Sequence, residues 1–313
     1  MEIILARPRG FCAGVKRAIK IVQSAIEKYT PPVYVLHEIV HNSHVIKSLA
    51  EQGAVFVEEL EEIPSGSVTI FSAHGVSNAV VERAADRRLK VIDATCPLVT
   101  KVHRQAQRYR AQGRDIIVIG HAGHPEVEGT IGRVEGPVHV ISTLDDVKAL
   151  SVSDPSKLAY VTQTTLSTDD TRHLIDGLTE RFPDIKGPDL SDICYATQSR
   201  QDAVRKMSAM DGIDLLLVVG SENSSNSNRL REAGESHGLK SELVDNAGKI
   251  DPAWLEGRQR ILVTAGASAP EVLVTGVVDR IRELQHVDKV SEMKEENREA
   301  THFKMPELPD FPL

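Results

Sequence analysis

Short apolar runs that open into polar loops and then into helical patterns recur along the whole chain, and this alternation leaves few architectures open. The runs are residues 3–5, 33–36, 68–71, 91–94, 116–119, 138–141, 158–161, 215–219 and 261–263, most of them followed by Gly, Ser, His or Asn. Strands that alternate with helices pair in parallel, with the crossover helices covering the sheet faces. The expected fold class is therefore α/β, with small, mostly parallel sheets. In such sheets ligands collect beyond the carboxyl ends of the strands, where loops and helix N-termini lie.

The three cysteines occupy related places in this pattern. Cys12 follows the first run and the turn Pro8-Arg9-Gly10, and precedes a helical face of Val15, Ala18, Ile19, Val22 and Ile26. Cys96 follows residues 91–94 and precedes Pro97, which suits a first helical position, and then Leu98, Val99, Val102, Ala106 and Tyr109. Cys194 follows the short run Asp192-Ile193 and precedes Ala203, Val204, Met207 and Met210. Each reads as a strand-to-helix junction, and the gaps of 84 and 98 residues are each about the length of a small domain. Three similar α/β domains are expected, at 1–96, 97–193 and 194–281. Residues 282–313 are expected to form a tail packed on the body, with Phe303 and Met305 as anchors.

Composition narrows the chemistry. With 37 Lys+Arg against 45 Asp+Glu the net charge is −8, which disfavours a broad nucleic-acid interface. No apolar run reaches membrane-spanning length, and the N-terminus lacks the succession of a signal peptide, so a soluble, cytoplasmic protein is expected. In a reducing compartment three cysteines stay as thiols, and their odd number does not suit a disulfide framework. A thiol beside a helix N-terminus is favoured as thiolate, the form that binds metals. Zinc with a histidine as fourth ligand and an iron–sulfur cluster both fit three thiolates. The lack of any C-x₂₋₄-C pair lowers the zinc reading, but spacing alone leaves the metal open.

The other strand-end loops are rich in histidine and uncharged polar residues. They are His37-Glu38-Ile39-Val40-His41-Asn42-Ser43-His44, Ser72-Ala73-His74-Gly75, Gly120-His121-Ala122-Gly123-His124-Pro125-Glu126, Thr162-Gln163-Thr164-Thr165, the Ser/Asn run from Gly220 to Asn228, and Gly266-Ala267-Ser268-Ala269-Pro270. Between a strand and a helix, such residues supply hydroxyl, amide and backbone donors that can wrap phosphate oxygens. Neither a GxxxxGK[ST] nor a GxGxxG motif is present, so this is no nucleotide P-loop and no dinucleotide fingerprint. Taken singly, each residue has a plainer reading: Glu126 as a helix-start carboxylate, His41 and His44 as helix-face neighbours or metal ligands, the Ser/Asn run as a loop. A metal-binding sensor and a phosphate-ester hydrolase remain open on these residues alone.

The segments RPRGFCAGVKRAI, HEIVHNSHV, FSAHGVS, DATCPLV, IGHAGHPEVEGT, TQTTLS, ICYAT, VVGSENSSNSNRL and AGASAPE, in this order from about residue 5 to about residue 275, resemble those of the 4-hydroxy-3-methylbut-2-enyl diphosphate reductase (LytB) family. The resemblance implies a trefoil of three α/β domains around one [4Fe–4S] cluster held by Cys12, Cys96 and Cys194, with one iron left for the substrate hydroxyl. It implies reductive dehydroxylation of a five-carbon diphosphate to isopentenyl and dimethylallyl diphosphate, the last step of the methylerythritol phosphate route. His41, His74, His124, Ser224, Ser225, Asn226 and Ser268 would grip the diphosphate, Glu126 would donate protons, and Thr164 would contact the substrate hydroxyl. Ferredoxin or flavodoxin would supply the electrons, and a monomer is expected.

Overall fold

A computed structural model describes residues 1–293 and 301–311; residues 294–300 and 312–313 of the expected tail lie outside the described residues. The strands in chain order are β1 (Glu2–Leu5), β2 (Val33–Leu36), β3 (Ala54–Val57), β4 (Val68–Phe71), β5 (Lys90–Asp93), β6 (Asp115–Ile119), β7 (Val138–Ile141), β8 (Leu158–Thr162), β9 (Leu215–Val219), β10 (Ser241–Val244), β11 (Arg260–Ala265) and β12 (Lys289–Glu292). The α-helices are α1 (Ala13–Tyr29), α2 (Ser43–Glu51), α3 (Asn78–Asp86), α4 (Pro97–Ala111), α5 (Pro125–Ile131), α6 (Leu144–Ala149), α7 (Thr168–Arg181), α8 (Tyr195–Ser208), α9 (Ser225–Glu235) and α10 (Glu271–Leu284). They form three small sheets, ordered β10-β9-β11-β1-β12, β3-β2-β4-β5 and β7-β6-β8, and every pairing is parallel. The α/β class expected from the alternation is what the chain adopts.

The chain divides into two compact bodies. The first comprises Met1–Val15, His41–Val45 and Tyr195–His302, and it contains the five-stranded sheet. Alternate residues of that sheet enter two different cores. Leu215, Leu217, Val219, Ile261 and Val263 pack with Val274, Val277 and Ile281 of α10, while Leu216, Val218 and Leu262 pack with Val204 and Met207 of α8 and Leu230 of α9. Burial on both faces explains why β9 reads as an unbroken LLLVV rather than an alternating strand. β1 is hydrogen-bonded into this sheet between β11 and β12, with Ile3 opposite Ile261 and Val290.

The second body comprises Lys16–Val40, Ile46–Cys194 and Phe303–Leu313, and contains the other two sheets. In the three-stranded sheet, Ile116 and Val118 of β6 face Val102, Ala106 and Tyr109 of α4, and Ile117 and Ile119 face Leu174, Ile175 and Leu178 of α7. Described tail residues of this body lie along α1: Lys28 Nζ donates to the Leu308 carbonyl at 2.7 Å, the Tyr29 hydroxyl to that of Pro309 at 2.6 Å, and the Phe311 ring sits 5.4 Å from that of Tyr29. Phe303 and Met305 are half-buried.

Three local expectations change. Asp192-Ile193 is a turn, not a strand, because the Ile193 amide closes back on the Leu190 carbonyl. Cys194 nevertheless reaches a strand end, since its amide donates to the Thr164 carbonyl just beyond β8 at 3.0 Å. The buried face of α1 is Ala18, Ile21, Val22 and Ala25, and the expected Val15, Ile19 and Ile26 are only half-buried. Met210 lies past the end of α8 and is exposed.

Candidate functional site

In the second body the loops after β6 and β8 meet because these strands are neighbours, with Ile119 opposite Thr162. The loop after β6 ends at His124, the N-cap of α5, whose Nδ1 accepts the Glu126 amide at 3.1 Å. That bond places the proton of the neutral imidazole on Nε2. Pro125 follows at the first helical position, where its missing N–H costs nothing. Glu126 is thereby directed inward at 2% exposure, and its carboxylate grips Thr164 twice. Oε1 accepts the Thr164 amide at 2.6 Å and Oε2 accepts its hydroxyl at 3.0 Å.

Burial pushes the Glu126 carboxyl up to about 7; the two Thr164 bonds oppose this and the charge of Asp192 adds to it. Asp192 is itself buried, which raises its own value, against the pull of Lys101, whose Nζ lies 3.4 Å from Oδ1. Glu126 is thus a carboxylic acid that holds its proton up to neutrality beside a hydroxyl that can carry it onward.

Gln163, 2% exposed, joins the two loops, its Oε1 accepting the His121 amide at 3.1 Å and its Nε2 donating to Thr165 Oγ1 at 3.1 Å. Sequence reasoning passed over it, because a glutamine between threonines at a strand end reads as one more polar loop residue. Asp192 reads in the sequence only as part of a short run. The nearest signal for either is proximity to a residue singled out on other grounds: Gln163 adjoins Thr164, and Asp192 lies two positions before Cys194.

The loop after β4 carries His74, whose Nδ1 lies 3.4 Å from Ser72 Oγ and whose ring meets that of His124 edge-on at 5.9 Å. Gly75 beside it has φ +80°, and a Cβ there would stand 2.7 Å from Cε1 of buried His103. Burial lowers the His103 value to about 4, so the ring under this loop is neutral. The Cys96 amide donates to the Ala73 carbonyl at 3.0 Å in the same loop, and Cys96 is the N-cap residue of α4. Thus Cys96 is tied to the loop of His74, and Cys194 to that of Thr164.

In the first body the loops after β9 and β11 are neighbours in the same way, with Val219 opposite Ala265. Ser224 caps α9, accepting the Ser227 amide at 3.4 Å, and its Oγ lies 3.4 Å from that of Ser268. Asn226 accepts the Ala267 amide at 2.8 Å and donates to Thr197 Oγ1 at 3.3 Å. Ser268 donates to the His41 carbonyl at 2.9 Å, and Ser225 opens α9 beside them. The structure therefore brings together His41, Ser224, Ser225, Asn226 and Ser268 around one helix N-terminus. His44, on α2, is exposed.

Cys12 belongs to this cluster: its amide donates to the Ala267 carbonyl at 3.2 Å, and its Sγ lies 3.4 Å from the Val15 amide at the start of α1. The turn before it is anchored by Arg200, fully buried, whose Nε and Nη2 donate to the Gly10 carbonyl at 3.2 and 2.7 Å. None of the three cysteines is in a disulfide; each is half-buried and stands immediately before a helix. Among the described residues no three His, Cys, Asp or Glu side chains form a single-ion site. A cubane is not such a site, because each thiolate binds a different iron and the sulfurs stand further apart. Among the described residues no helix is long and apolar enough to cross a membrane.

A buried acid hydrogen-bonded to a hydroxyl at the strand ends of parallel sheets is the kind of arrangement that α/β enzymes place in their active sites. The sequence profile of the LytB protein family matches residues 3–282. A Rhodopseudomonas palustris protein named 4-hydroxy-3-methylbut-2-enyl diphosphate reductase 1 is 58% identical over 298 residues, spanning 95% of this chain and 97% of its own. One of the same function name from Azoarcus sp. is 60% identical over 283 residues, 90% of each. The E-1-hydroxy-2-methyl-but-2-enyl-4-diphosphate reductase of Plasmodium falciparum has a solved structure that superposes with a TM-score of 0.93 at 36% identity, over 98% of this chain and 95% of that one. A second solved structure, of the (E)-4-hydroxy-3-methyl-but-2-enyl diphosphate reductase described as the terminal enzyme of the non-mevalonate pathway, gives 0.63 at 31% identity over 90% and 99%. The chain belongs to the LytB family.

Proposed function

We propose that this chain catalyses the reductive removal of the hydroxyl group from (E)-4-hydroxy-3-methylbut-2-enyl diphosphate, the terminal step of the non-mevalonate pathway, giving isopentenyl and dimethylallyl diphosphate. The observation that carries the reading is the buried Glu126–Thr164 pair. Two electrons and two protons convert R–OH to R–H and water, so the reaction needs an acid that is still protonated near neutrality.

Three reduced, half-buried thiols, each at a helix start, suit thiolate ligation, and Cys12, Cys96 and Cys194 would hold one [4Fe–4S] cluster. When bound, that group supplies the electrons and a Lewis-acidic iron for the departing oxygen. The chain's own residues do the rest. His41, Ser224, Ser225, Asn226 and Ser268, with His74 and His124, donate to the diphosphate. Histidine, hydroxyl, amide and helix-start N–H donors suffice for this without a basic patch, in keeping with the acidic chain.

A five-carbon substrate has little apolar surface, so this grip supplies most of the binding energy and orients the reacting carbon. Thr164 contacts the substrate hydroxyl. With Glu126 protonated, its proton points to Thr164 Oγ1 along the 3.0 Å bond, and the Thr164 hydroxyl hydrogen turns to the departing oxygen. Ferredoxin or flavodoxin is the proposed electron donor for a monomeric enzyme of the cytoplasm.

The test is anaerobic turnover of the hydroxylated C₅ diphosphate with a chemical reductant, together with iron, sulfide and zinc analysis. The expected result is the two C₅ diphosphates from protein containing iron and sulfide. Free phosphate as product, or stoichiometric zinc without iron, overturns the reading.

A further inference from the structure

The proposed diphosphate cradle of the first body is assembled from separate loops, and one carboxylate links two of them. Asp245 directly follows β10, which pairs with β9 so that Val244 stands opposite Val219. Asp245 and the Gly220-Ser221 turn therefore leave the sheet side by side. Its Oδ1 accepts the hydroxyl of Ser221 at 2.6 Å, and its Oδ2 accepts the hydroxyl of Ser43 at 2.8 Å. Ser43 opens α2 two residues after His41. Asn42, fully buried between them, accepts the Val45 amide at 3.0 Å and fixes that helix start. From the other side Ser268 holds the His41 carbonyl, and the Ser224 amide donates to the Ser221 carbonyl at 2.9 Å.

We propose that Asp245 is a positioning residue for anion binding, whose carboxylate fastens the 41–43 segment to the 220–224 loop that leads into α9, and so sets where His41 stands relative to Ser224, Ser225 and Asn226. This rests on the diphosphate reading given above. A negative side chain this close to an anion site opposes binding unless it does compensating work. Here each of its oxygens holds one loop. An amide has one carbonyl acceptor and a hydroxyl has one oxygen, so neither spans the two serines in this way. Both serine hydroxyls donate to Asp245, so Ser43 and Ser221 serve to shape the cradle.

Titration calorimetry of the holoenzyme with inorganic diphosphate tests this, alongside thermal denaturation and steady-state kinetics with the C₅ substrate. Ser43→Ala, at an exposed position, is expected to weaken diphosphate binding by about three- to tenfold with little change in Tm, and Asp245→Ala by about tenfold or more. The double variant is expected to be no worse than Asp245→Ala, because both changes remove the same bond. Asp245→Asn is expected to recover part of the loss. KM rises in each case while kcat stays within about twofold, since the acid pair is untouched. Folded Ser43→Ala and Asp245→Ala proteins that bind diphosphate as tightly as the parent overturn the proposal, as does strict additivity in the double variant. If Asp245→Ala does not fold, Ser43→Ala alone decides by the same criterion. A parent enzyme that does not bind diphosphate overturns the cradle reading, and this inference with it.

Discussion

Replacing Thr164 by Val separates the two bonds that hold Glu126. The substitution keeps a branched side chain of similar volume and the backbone N–H bond to Oε1 at 2.6 Å, and removes only the hydroxyl bond to Oε2 at 3.0 Å. A hydrogen bond to a charged group contributes about 1.5–3 kcal/mol, and about 0.5–1.5 kcal/mol of it survives when the carboxyl is neutral. The difference, about 1–1.5 kcal/mol, corresponds to about one pH unit. Because the bond favours the ionised form, its loss raises the Glu126 value, from about 7 toward about 8. The assay is kcat/KM against pH between about 5.5 and 9.5 under anaerobic conditions, which reports the ionisations of the free enzyme. Substrate ionisation is common to parent and variant and cancels in the comparison. The rate falls in amplitude because Thr164 also carries the proton, but the descending limb moves to higher pH. A limb that stays in place or moves to lower pH refutes the assignment of that limb to Glu126.

Other changes read different parts of the structure. Glu126→Gln is expected to keep the cluster, lose most turnover and abolish the descending limb, as checked by iron content and pH–rate profiles. The same variant changes stability with a defined sign. Burial raises the folded-state value above 4.5, so the contribution of Glu126 is fully present below about pH 4.5 and lost as pH rises through about 7. Relative to Glu126→Gln, the parent should lose on the order of 3 kcal/mol over that window in anaerobic urea titrations. Arg200→Met is expected to cost about 1–3 kcal/mol, measured the same way, by leaving the Gly10 carbonyl buried without its donor. Gly266→Ala places a Cβ 2.1 Å from buried Ser227 Oγ, and should cost about 1–3 kcal/mol in urea titrations and weaken diphosphate binding in calorimetry.

Much of the fold was legible because burial on both faces of a parallel strand leaves continuous apolar runs, as in 33–36, 68–71 and 215–219. Of the strands that the apolar runs do not include, β10 and β12 are interrupted by polar residues such as Glu242 and Lys289, whereas β3 is a short apolar run, Ala54–Val57, with Val55 exposed. The place of β1 was not legible at all, since a four-residue strand carries no record of which distant strands it joins. At the site, the residue types were visible but their states were not. His74 and His124 are 50 positions apart in sequence and their rings touch, and nothing local to either announces it. Arg200 has no feature in the sequence to set it apart from other helical charges, yet among the described residues it is the largest fully buried side chain.

The acid shows why such states escape the sequence. Glu126 sits in the first turn of α5 and accepts two hydrogen bonds, and both conditions favour ionisation. A helix start contributes about 0.3–1 kcal/mol, rarely about 2, and α5 is only seven residues long. A value near 7 requires a net cost of ionisation of about 3 kcal/mol, so desolvation exceeds all the favourable contributions together. The other helix starts at the proposed site work in the opposite sense. The first turns of α1, α4, α8 and α9 contain no acidic residue, which leaves their dipoles for thiolates and for an external anion. α3 shares that pattern at Ser77 without any such role, so an acid-free first turn permits anion binding but does not identify it. What distinguishes α5 is burial of the acid that it carries, and burial is a property of the packed loops after β6 and β8, not of Gly-His-Pro-Glu.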